Sequence, residues 1–372
     1  MGGRKKIYIY ALLLIVILVC AICFLFYELS NGNNQDEFIL SDDVMSVYDG
    51  IPSDAVAIMD IKRLDAFGEL ASDTTSYIYD FIDRNSALVK IQNSLVESQQ
   101  FSGVPFVFSM HYSAKNSVAL LMVMDMTSVI GQQSLPFSGD NDFRRKYNDV
   151  YIYKSYGAYY AQIKNLFIAS ESEYVLESSI RHIVNSTSIL SNGEFKDIVS
   201  KNGLAGGLYI NFGQIGKFFS GTVNREFLGF SDFFLRNSKW GVLKINTNES
   251  GANFTGELVN NEDISYFSTI FYKQTPQESK ACEVLPHNTV SYTSILIDNI
   301  DSYFSEHDKF LEIRKRAGVF NTAQSKAREN SADTLRIWPK KWIKSLGIKE
   351  IVSAYCKFGE KCEWITLYRV IK

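Results

Sequence analysis

Histidine and proline are scarce in this chain of 372 residues, which contains four histidines and six prolines. No two histidines are close enough in sequence to form a helical or hairpin metal pair. The four are His111, His182, His287 and His307. We therefore predict no metal site and no cofactor, and we interpret each histidine as a surface or hydrogen-bonded side chain.

An excess of positive charge is also missing, since the formal net charge is -3. This balance gives the chain as a whole no electrostatic basis for binding nucleic acid. Residues 306–349 depart from it, with eleven Lys and Arg against five Asp and Glu. This basic stretch could face anionic lipid or an acidic polymer. The alternative, which we favour, is a solvated helix face with a buried tryptophan.

No local catalytic motif is complete. Residues 213–217, "GQIGK", hint at a phosphate-binding loop, but Asn211 and Phe218 stand where glycine and serine or threonine are needed. Residues 229–233, "GFSDF", lack the second glycine of a nucleophile elbow. We therefore predict no catalytic residue, and an enzyme would require side chains from distant segments to converge.

One long apolar run is present. Ile7 to Tyr27 contain no charged residue and would span about 31 Å as a helix, which matches a bilayer core. Basic residues 4–6 precede the run, and no Lys or Arg closely follows it. The distribution predicts a single-pass anchor with residues 1–6 in the cytoplasm and the rest outside it. The alternative is a signal peptide cleaved near residues 30–32.

The organisation beyond the anchor is predicted from composition and pattern. Phe and Tyr are abundant, which favours sheet. We predict an α+β fold of antiparallel sheets with helices packed on one face. The predicted segments are a tether over 28–50, a first unit over 51–262, a connector over 263–284 and a partial second copy over 285–372.

A recurring phrase suggests the second copy. Residues 51–67, "IPSDAVAIMDIKRLDAF", resemble 285–304, "LPHNTVSYTSILIDNIDSYF", and more weakly 208–219. We predict a strand over 55–59, with Asp60 capping a helix that begins at Ile61. Asn211 takes the equivalent place in the third occurrence. Because the acidic residues are not retained between occurrences, we interpret the phrase as the start of a folding unit rather than a catalytic motif.

The intervening pattern predicts further elements. A helix is expected near 85–98, with an apolar stripe of Leu88, Ile91 and Leu95. A hairpin over 106–126 and a three-stranded meander over 147–170 follow. The capping pattern at 170–173 opens a further helix, whose apolar stripe is Leu176, Ile180 and Ile183. The hairpin sequence at 350–370 aligns on 106–126 without gaps. The second copy therefore repeats a strand, helix, helix and hairpin, and then stops.

The cysteines suggest one disulfide. Cys356 and Cys362 flank five residues inside the predicted second hairpin. An odd loop of three or five residues would set them directly opposite, close enough to bridge. A disulfide is permitted outside the cytoplasm, so we predict a Cys356–Cys362 bridge, and the alternative is two free thiols.

The order of "IPSDAVAIMDI", "VYIYKSYGAYYAQIKNLFIASESEYVLESSI" and "GGLYINFGQIGKFF" resembles a family of membrane-anchored bacterial cell-envelope proteins catalogued only as a domain of unknown function. The resemblance implies an envelope location, periplasmic or at the cell surface, and no activity. We expect a binding or scaffold protein whose partners are the bilayer, through Ile7 to Tyr27, and an envelope protein or polymer. The alternatives are an envelope enzyme with a non-local active site and a carrier of an apolar ligand.

Overall fold

The computed structural model describes residues 44–61, 86–97, 101, 103–114, 117–129, 142–202, 207–222, 235–248, 251–260, 265–315, 321–322, 325, 339–359 and 361–370. The chain divides into two compact units, Met1–Asn261 and Glu262–Lys372. The predicted anchor, Ile7 to Tyr27, lies outside the described residues. Within the described ranges no helix is both long enough and apolar enough to span a bilayer.

The first unit is built on one ten-stranded sheet. Its strands are β1 Ala57–Ile61, β2 Phe106–Ala114, β3 Ser117–Asp125, β4 Asp142–Tyr147, β5 Val150–Ser155, β6 Ala158–Ile163, β7 Leu166–Ser170, β8 Gly207–Asn211, β9 Trp240–Asn248 and β10 Gly251–Val259. The spatial order is β10-β9-β8-β1-β2-β3-β7-β6-β5-β4. Every neighbouring pair is antiparallel.

Four α-helices accompany this sheet in the described part of the first unit. They are α1 Ala87–Glu97, α2 Glu173–Val184, α3 Gly193–Asn202 and α4 Phe212–Thr222. Short 3₁₀ turns occur at Val47–Gly50 and Ile189–Ser191. The predicted apolar stripes of α1 and α2 are confirmed, because their leucines and isoleucines are buried at helical spacing.

Helices cover both faces of this sheet, so the prediction that they pack on one face is wrong. On one face, Phe106 and Phe108 of β2 join a core with α1 and α4. On the other, Val107 joins a second core with α2 and α3. Successive strand residues point to opposite faces. The central strands are apolar at successive positions, and only helices on both faces can bury both sets.

Several predicted elements begin or end at residues that differ from the prediction. Strand β1 continues through Ile61, so the prediction that Asp60 caps a helix there is wrong. Asn211 does act as a cap, since its Oδ1 accepts the backbone N–H of Gln214 at 3.2 Å. The meander has an additional turn at Asn148 and Asp149, both at positive φ, which makes it four-stranded.

The second unit contains a three-stranded antiparallel sheet in the order β11-β12-β13. In the described ranges its strands are β11 Thr289–Leu296, β12 Ile348–Phe358 and β13 Lys361–Val370. The helices with described bounds are α5 Ala281–Val284, α6 Ile300–Ile313 and α7 Pro339–Ser345. Helix α6 packs on the sheet through Tyr303 and Phe304, near Ile295 and Ile351. The side chain of Asn299 caps α6 by accepting the backbone N–H of Ser302.

The two units share an arrangement of strands. In the first, β1 pairs with β2 and β2 with β3, and α1 precedes β2. In the second, β11 pairs with β12 and β12 with β13, and α6 and α7 lie between the first two strands in sequence. The predicted order of strand, helices and hairpin in the second copy is confirmed. That the units are copies of one sequence stays an interpretation.

Candidate functional site

Three hydrogen-bonded side chains converge on strand β2. Ser109 and His111 lie two residues apart on β2, so they share a face of the sheet. His111 Nε2 lies 2.8 Å from Ser109 Oγ, and its Nδ1 lies 3.0 Å from Asp54 Oδ1. Asp54 comes from the turn that precedes β1. We call Asp54, His111 and Ser109 the β2 triad.

Hydrogen-bonding capacity assigns one proton of the β2 triad. An ionised carboxylate only accepts, so His111 Nδ1–H donates to Asp54, and Nε2 faces the Ser109 hydroxyl. The hydrogen bond from His111 lowers the pKa of Asp54 and outweighs burial, which raises it. The charge of His182 lowers that pKa further. Carboxylate, imidazole and hydroxyl in this order form the arrangement that activates serine nucleophiles.

Burial separates the β2 triad from an open active site. Ser109 and His111 are only 1% and 2% exposed, whereas 52% of the Asp54 side chain is exposed. A substrate could reach the Ser109 hydroxyl only by displacing packed core side chains. We therefore assign the β2 triad to internal hydrogen bonding, which satisfies buried polar groups and ties the turn at Asp54 to the sheet.

The sequence contained only part of the signal for this triad. Strand alternation places Ser109 and His111 on one face, but the spacing of metal-ligating residues gives no signal for a serine. Nothing in the sequence links Asp54 to them, because it lies 57 residues from His111. The general expectation of a hydrogen-bonded histidine is confirmed for His111.

Asp60 forms a second buried polar cluster. The Tyr48 hydroxyl donates to Asp60 Oδ2 at 2.8 Å, and Asp60 is 5% exposed. Burial raises the pKa of Tyr48 well above its ordinary value, and the charge of Asp60 raises it further. The same two causes raise the pKa of Tyr209, which packs against Tyr48. Asp60 therefore joins the 3₁₀ turn to the sheet, and its carboxylate is closed to substrates.

Glu350 is the buried carboxylate of the second unit, at 1% exposure. It accepts from Ser279 Oγ at 2.5 Å, Ser294 Oγ at 2.6 Å and the Lys280 backbone N–H at 3.1 Å. Arg369 Nε lies 3.1 Å from its Oε2. Burial raises the pKa of Glu350, but these donors outweigh it and the pKa is lowered. The Glu350 carboxylate therefore connects Ser279 and Lys280, which precede the sheet in sequence, to strand β12.

Lysines of the basic stretch pair with acidic residues of the same unit. Lys340 Nζ lies 2.5 Å from Asp308 Oδ2, and Lys344 Nζ lies 2.6 Å from Asp301 Oδ1. Both pairs join α7 to α6. The favoured interpretation, a charged helix face rather than a polymer-binding stretch, is supported for these residues.

Four aromatic side chains, three of them exposed and Tyr355 half-buried, form a surface on the second unit. They are Trp342 of α7, Tyr355 of β12, and Trp364 and Tyr368 of β13, and we call them the aromatic surface. Ring centroids lie 5.1 Å apart for Tyr355 and Trp364, and 5.9 Å apart for Trp342 and Tyr368. Trp364 is 65% exposed and Trp342 is 38% exposed, so the expected burial of a tryptophan is wrong for Trp342.

The predicted Cys356–Cys362 bridge is not formed. The hairpin register sets Cys356 opposite Glu363 and Lys357 opposite Cys362, so the prediction that the cysteines lie directly opposite is wrong. The loop between Phe358 and Lys361 has two residues, an even number, with Gly359 at φ +63. Both thiols are free, Cys356 buried and Cys362 exposed.

Comparison with known proteins identifies no relative. No protein-family model, curated protein sequence or solved structure matches the chain. The resemblance to membrane-anchored envelope proteins therefore stays a prediction. Within the described ranges, no group of three or more His, Cys, Asp or Glu side chains is arranged to hold a metal ion.

Asp54→Asn should lower the free energy of unfolding by about 1 kcal/mol at pH 7, since amide and carboxylate both accept from His111 and only the charge is lost. A lowered pKa in the folded state contributes stability above the unfolded pKa of about 4, and this is lost as pH falls through the folded pKa. The deficit of the variant should therefore shrink as the pH falls below about 4 and vanish below the folded-state pKa of Asp54. Urea unfolding between pH 3 and 7 measures it.

The matched control is Asp197→Asn, because Asp197 is exposed on α3. It should leave stability unchanged across the same pH range.

A fluorophosphonate probe should leave the buried Ser109 unlabelled. Labelling of Ser109 in folded protein would contradict the structural assignment and favour an acyl-transfer enzyme.

The free thiols predict a difference in reactivity. In folded protein without reductant, iodoacetamide should alkylate the exposed Cys362 and leave the buried Cys356 unmodified. After denaturation in urea, both should react. Peptide mass mapping distinguishes the two positions. Recovery of a Cys356–Cys362 cross-linked peptide from a non-reduced digest would instead support the bridge.

Proposed function

We propose that this chain is a single-pass membrane-anchored protein of the cell envelope, with an extracytoplasmic part that acts as a binding or scaffold module. Binding is assigned to the second unit. The observation that carries this assignment is the aromatic surface, whose most exposed residue, Trp364, is 65% exposed. Tryptophan and tyrosine are the side chains that contribute most often to binding energy at protein interfaces.

The membrane part of the proposal rests on the sequence. Ile7 to Tyr27 have the length and apolarity of a spanning helix, and the basic residues before them favour a cytoplasmic N-terminus. The resemblance to membrane-anchored envelope proteins supports the same location. Such an anchor would hold both units on the outer side of one membrane, where they could meet other envelope proteins.

A binding role fits the distribution of polar groups better than a catalytic one. The buried carboxylates Asp60 and Glu350 are occupied by hydrogen-bond donors. The β2 triad has the composition of an active site but is covered by the core. The aromatic surface, in contrast, is open to solvent and composed of side chains that gain free energy when covered.

Removal of the apolar run tests the membrane anchor. Full-length chain should sediment with membranes and resist extraction by high salt and carbonate, whereas a variant lacking Ile7 to Tyr27 should be recovered in the soluble fraction. Protease added outside the cytoplasmic membrane should digest both units of the full-length chain. Recovery of the full-length chain in the soluble fraction would contradict the proposal.

Substitution of Trp364 tests binding through the aromatic surface. Trp364→Lys should reduce the amount of partner cross-linked to the membrane-bound chain about tenfold or more, because a buried interface tryptophan contributes about 2 kcal/mol. The measurement is in-membrane cross-linking followed by affinity purification and quantitative mass spectrometry.

The control for this variant is Tyr174→Lys. Tyr174 is an aromatic residue on α2 of the first unit and is similarly exposed, at 58%. It should leave the cross-linked products unchanged. Equal losses for both variants, or no specific product with the unaltered chain, would remove the support for binding through the aromatic surface.

A further inference from the structure

The outer edge of β13 is open where the equivalent edge of the first unit is occupied. In the first unit, residues 121–125 of β3 pair in antiparallel fashion with β7 on their outer side. In the second unit, β13 holds the place of β3 after β12, and among the described residues no strand pairs with its outer side. The predicted alignment sets 365–369 on 121–125, so the open segment corresponds to the one that takes a neighbour.

The composition of β13 leaves this edge available for pairing. Proteins usually protect edge strands with charges, proline, bulges or a covering element. Strand β4, at one edge of the first unit's sheet, follows that rule with Arg145 and Lys146. Residues 364–368 of β13 contain neither charge nor proline. The other edge strand of the second unit, β11, is less suitable because a bulge interrupts it after Thr289.

The sequence of β13 is complementary to itself when reversed. Around Thr366 it reads "EWITLYR", with an acidic residue at one end and a basic residue at the other. Antiparallel pairing with a second β13 about Thr366 sets aliphatic side chains opposite aliphatic ones, aromatic opposite aromatic and acidic opposite basic. The pairs are Ile365 with Leu367, Trp364 with Tyr368 and Glu363 with Arg369.

We propose that two copies of this chain form a symmetric dimer by antiparallel pairing of β13 with β13, centred on Thr366, which joins the two three-stranded sheets into one. Each listed pair then occurs twice, as a two-fold axis requires. Opposite charges and paired aromatic rings across strands stabilise antiparallel pairing. The dimer rests on the proposed function, which assigns binding to the second unit, and it names the partner.

Symmetry and charge select this register over its neighbours. A two-fold axis perpendicular to the sheet keeps each side chain on its own face. The pairing can therefore shift only to registers in which directly opposite residues point to the same face of the sheet. Centring it on Ile365 would set Lys361 opposite Arg369, two like charges. Centring it on Leu367 would set Ile365 opposite Arg369 and leave Glu363 beyond the paired segment. Of these three registers, the one centred on Thr366 sets opposite charges across the strands, with Glu363 of one copy facing Arg369 of the other, whose Nε also lies 3.1 Å from Glu350 Oε2 of its own chain.

Cysteine cross-linking tests the register. In full-length chain purified in detergent, Thr366→Cys should form a disulfide-linked dimer on mild oxidation, because the two introduced thiols lie opposite each other at the axis. The native Cys362 of each copy would lie opposite Val370 of the other, about 26 Å from its counterpart at roughly 3.3 Å per residue, so the unaltered chain should not cross-link. Thr255→Cys, on the exposed edge strand β10, is the matched control and should remain monomeric.

Charge reversal tests the pairing energy. Glu363→Lys places two positive charges opposite each other at each end of the paired segment and should raise the dimer dissociation constant at least about tenfold. Glu363 is exposed and the structure gives its side chain no ion pair, so folding should be retained. Glu257→Lys, an exposed glutamate on β10, should leave dimerisation unchanged. Sedimentation velocity in density-matched detergent over a range of protein concentrations measures the constant.

The outcomes separate the dimer from the proposed function. A Thr366→Cys chain that stays monomeric under oxidation, or cross-linking through Ser291→Cys on β11 instead, would overturn the β13 dimer. If that monomeric chain still captures a different envelope protein through Trp364, the proposed function stands without the dimer. If the dimer forms but the chain neither binds membranes nor cross-links to any partner other than itself, the dimer stands and the envelope scaffold falls.

Discussion

Backbone hydrogen bonding between antiparallel strands is the constraint on which both units depend. A strand inside a sheet must pair on both sides, because an unpaired buried N–H or C=O group costs free energy. In the first unit, β7 and β8 meet this need on either side of β1, β2 and β3, and the sheet grows to ten strands. The second unit has three strands in the same order, and its β13 ends the sheet with exposed side chains.

Three carboxylates, of which Asp60 and Glu350 are buried and Asp54 is half-exposed, hold segments against the two sheets. Asp54 and Asp60 connect the residues before and within β1 to His111 and Tyr48, and Glu350 connects the start of the second unit to β12. Each carboxylate faces donors that compensate for the loss of water. The hydrogen bonds that resemble those of an active site therefore position the segments around each sheet. Burial of the groups that they join keeps a substrate from reaching them.

The proposed function follows from the side chains that the core does not bury. Ser109, His111, Asp60 and Glu350 are buried, while Trp364 and its aromatic neighbours are more exposed to solvent. An open strand edge beside exposed aromatic rings offers backbone hydrogen bonds together with apolar contact, which is the combination used when one chain adds a strand to another. A membrane anchor would favour such pairing further by confining two copies to one surface.

The sequence by itself determined the elements whose periodicity is local. It predicted the α1 and α2 stripes, the hairpins, the cap at Asn211 and the order of the second unit, because alternation and helical spacing need only neighbouring residues. The tertiary structure decided what depends on distant partners. It placed Asp60 in a strand rather than at a helix cap, covered both faces of the sheet and brought Asp54 to His111. It also set Cys356 and Cys362 one position out of register, because a two-residue turn fixed the hairpin. Contacts between residues far apart in the chain leave no local pattern, and only folding reveals them.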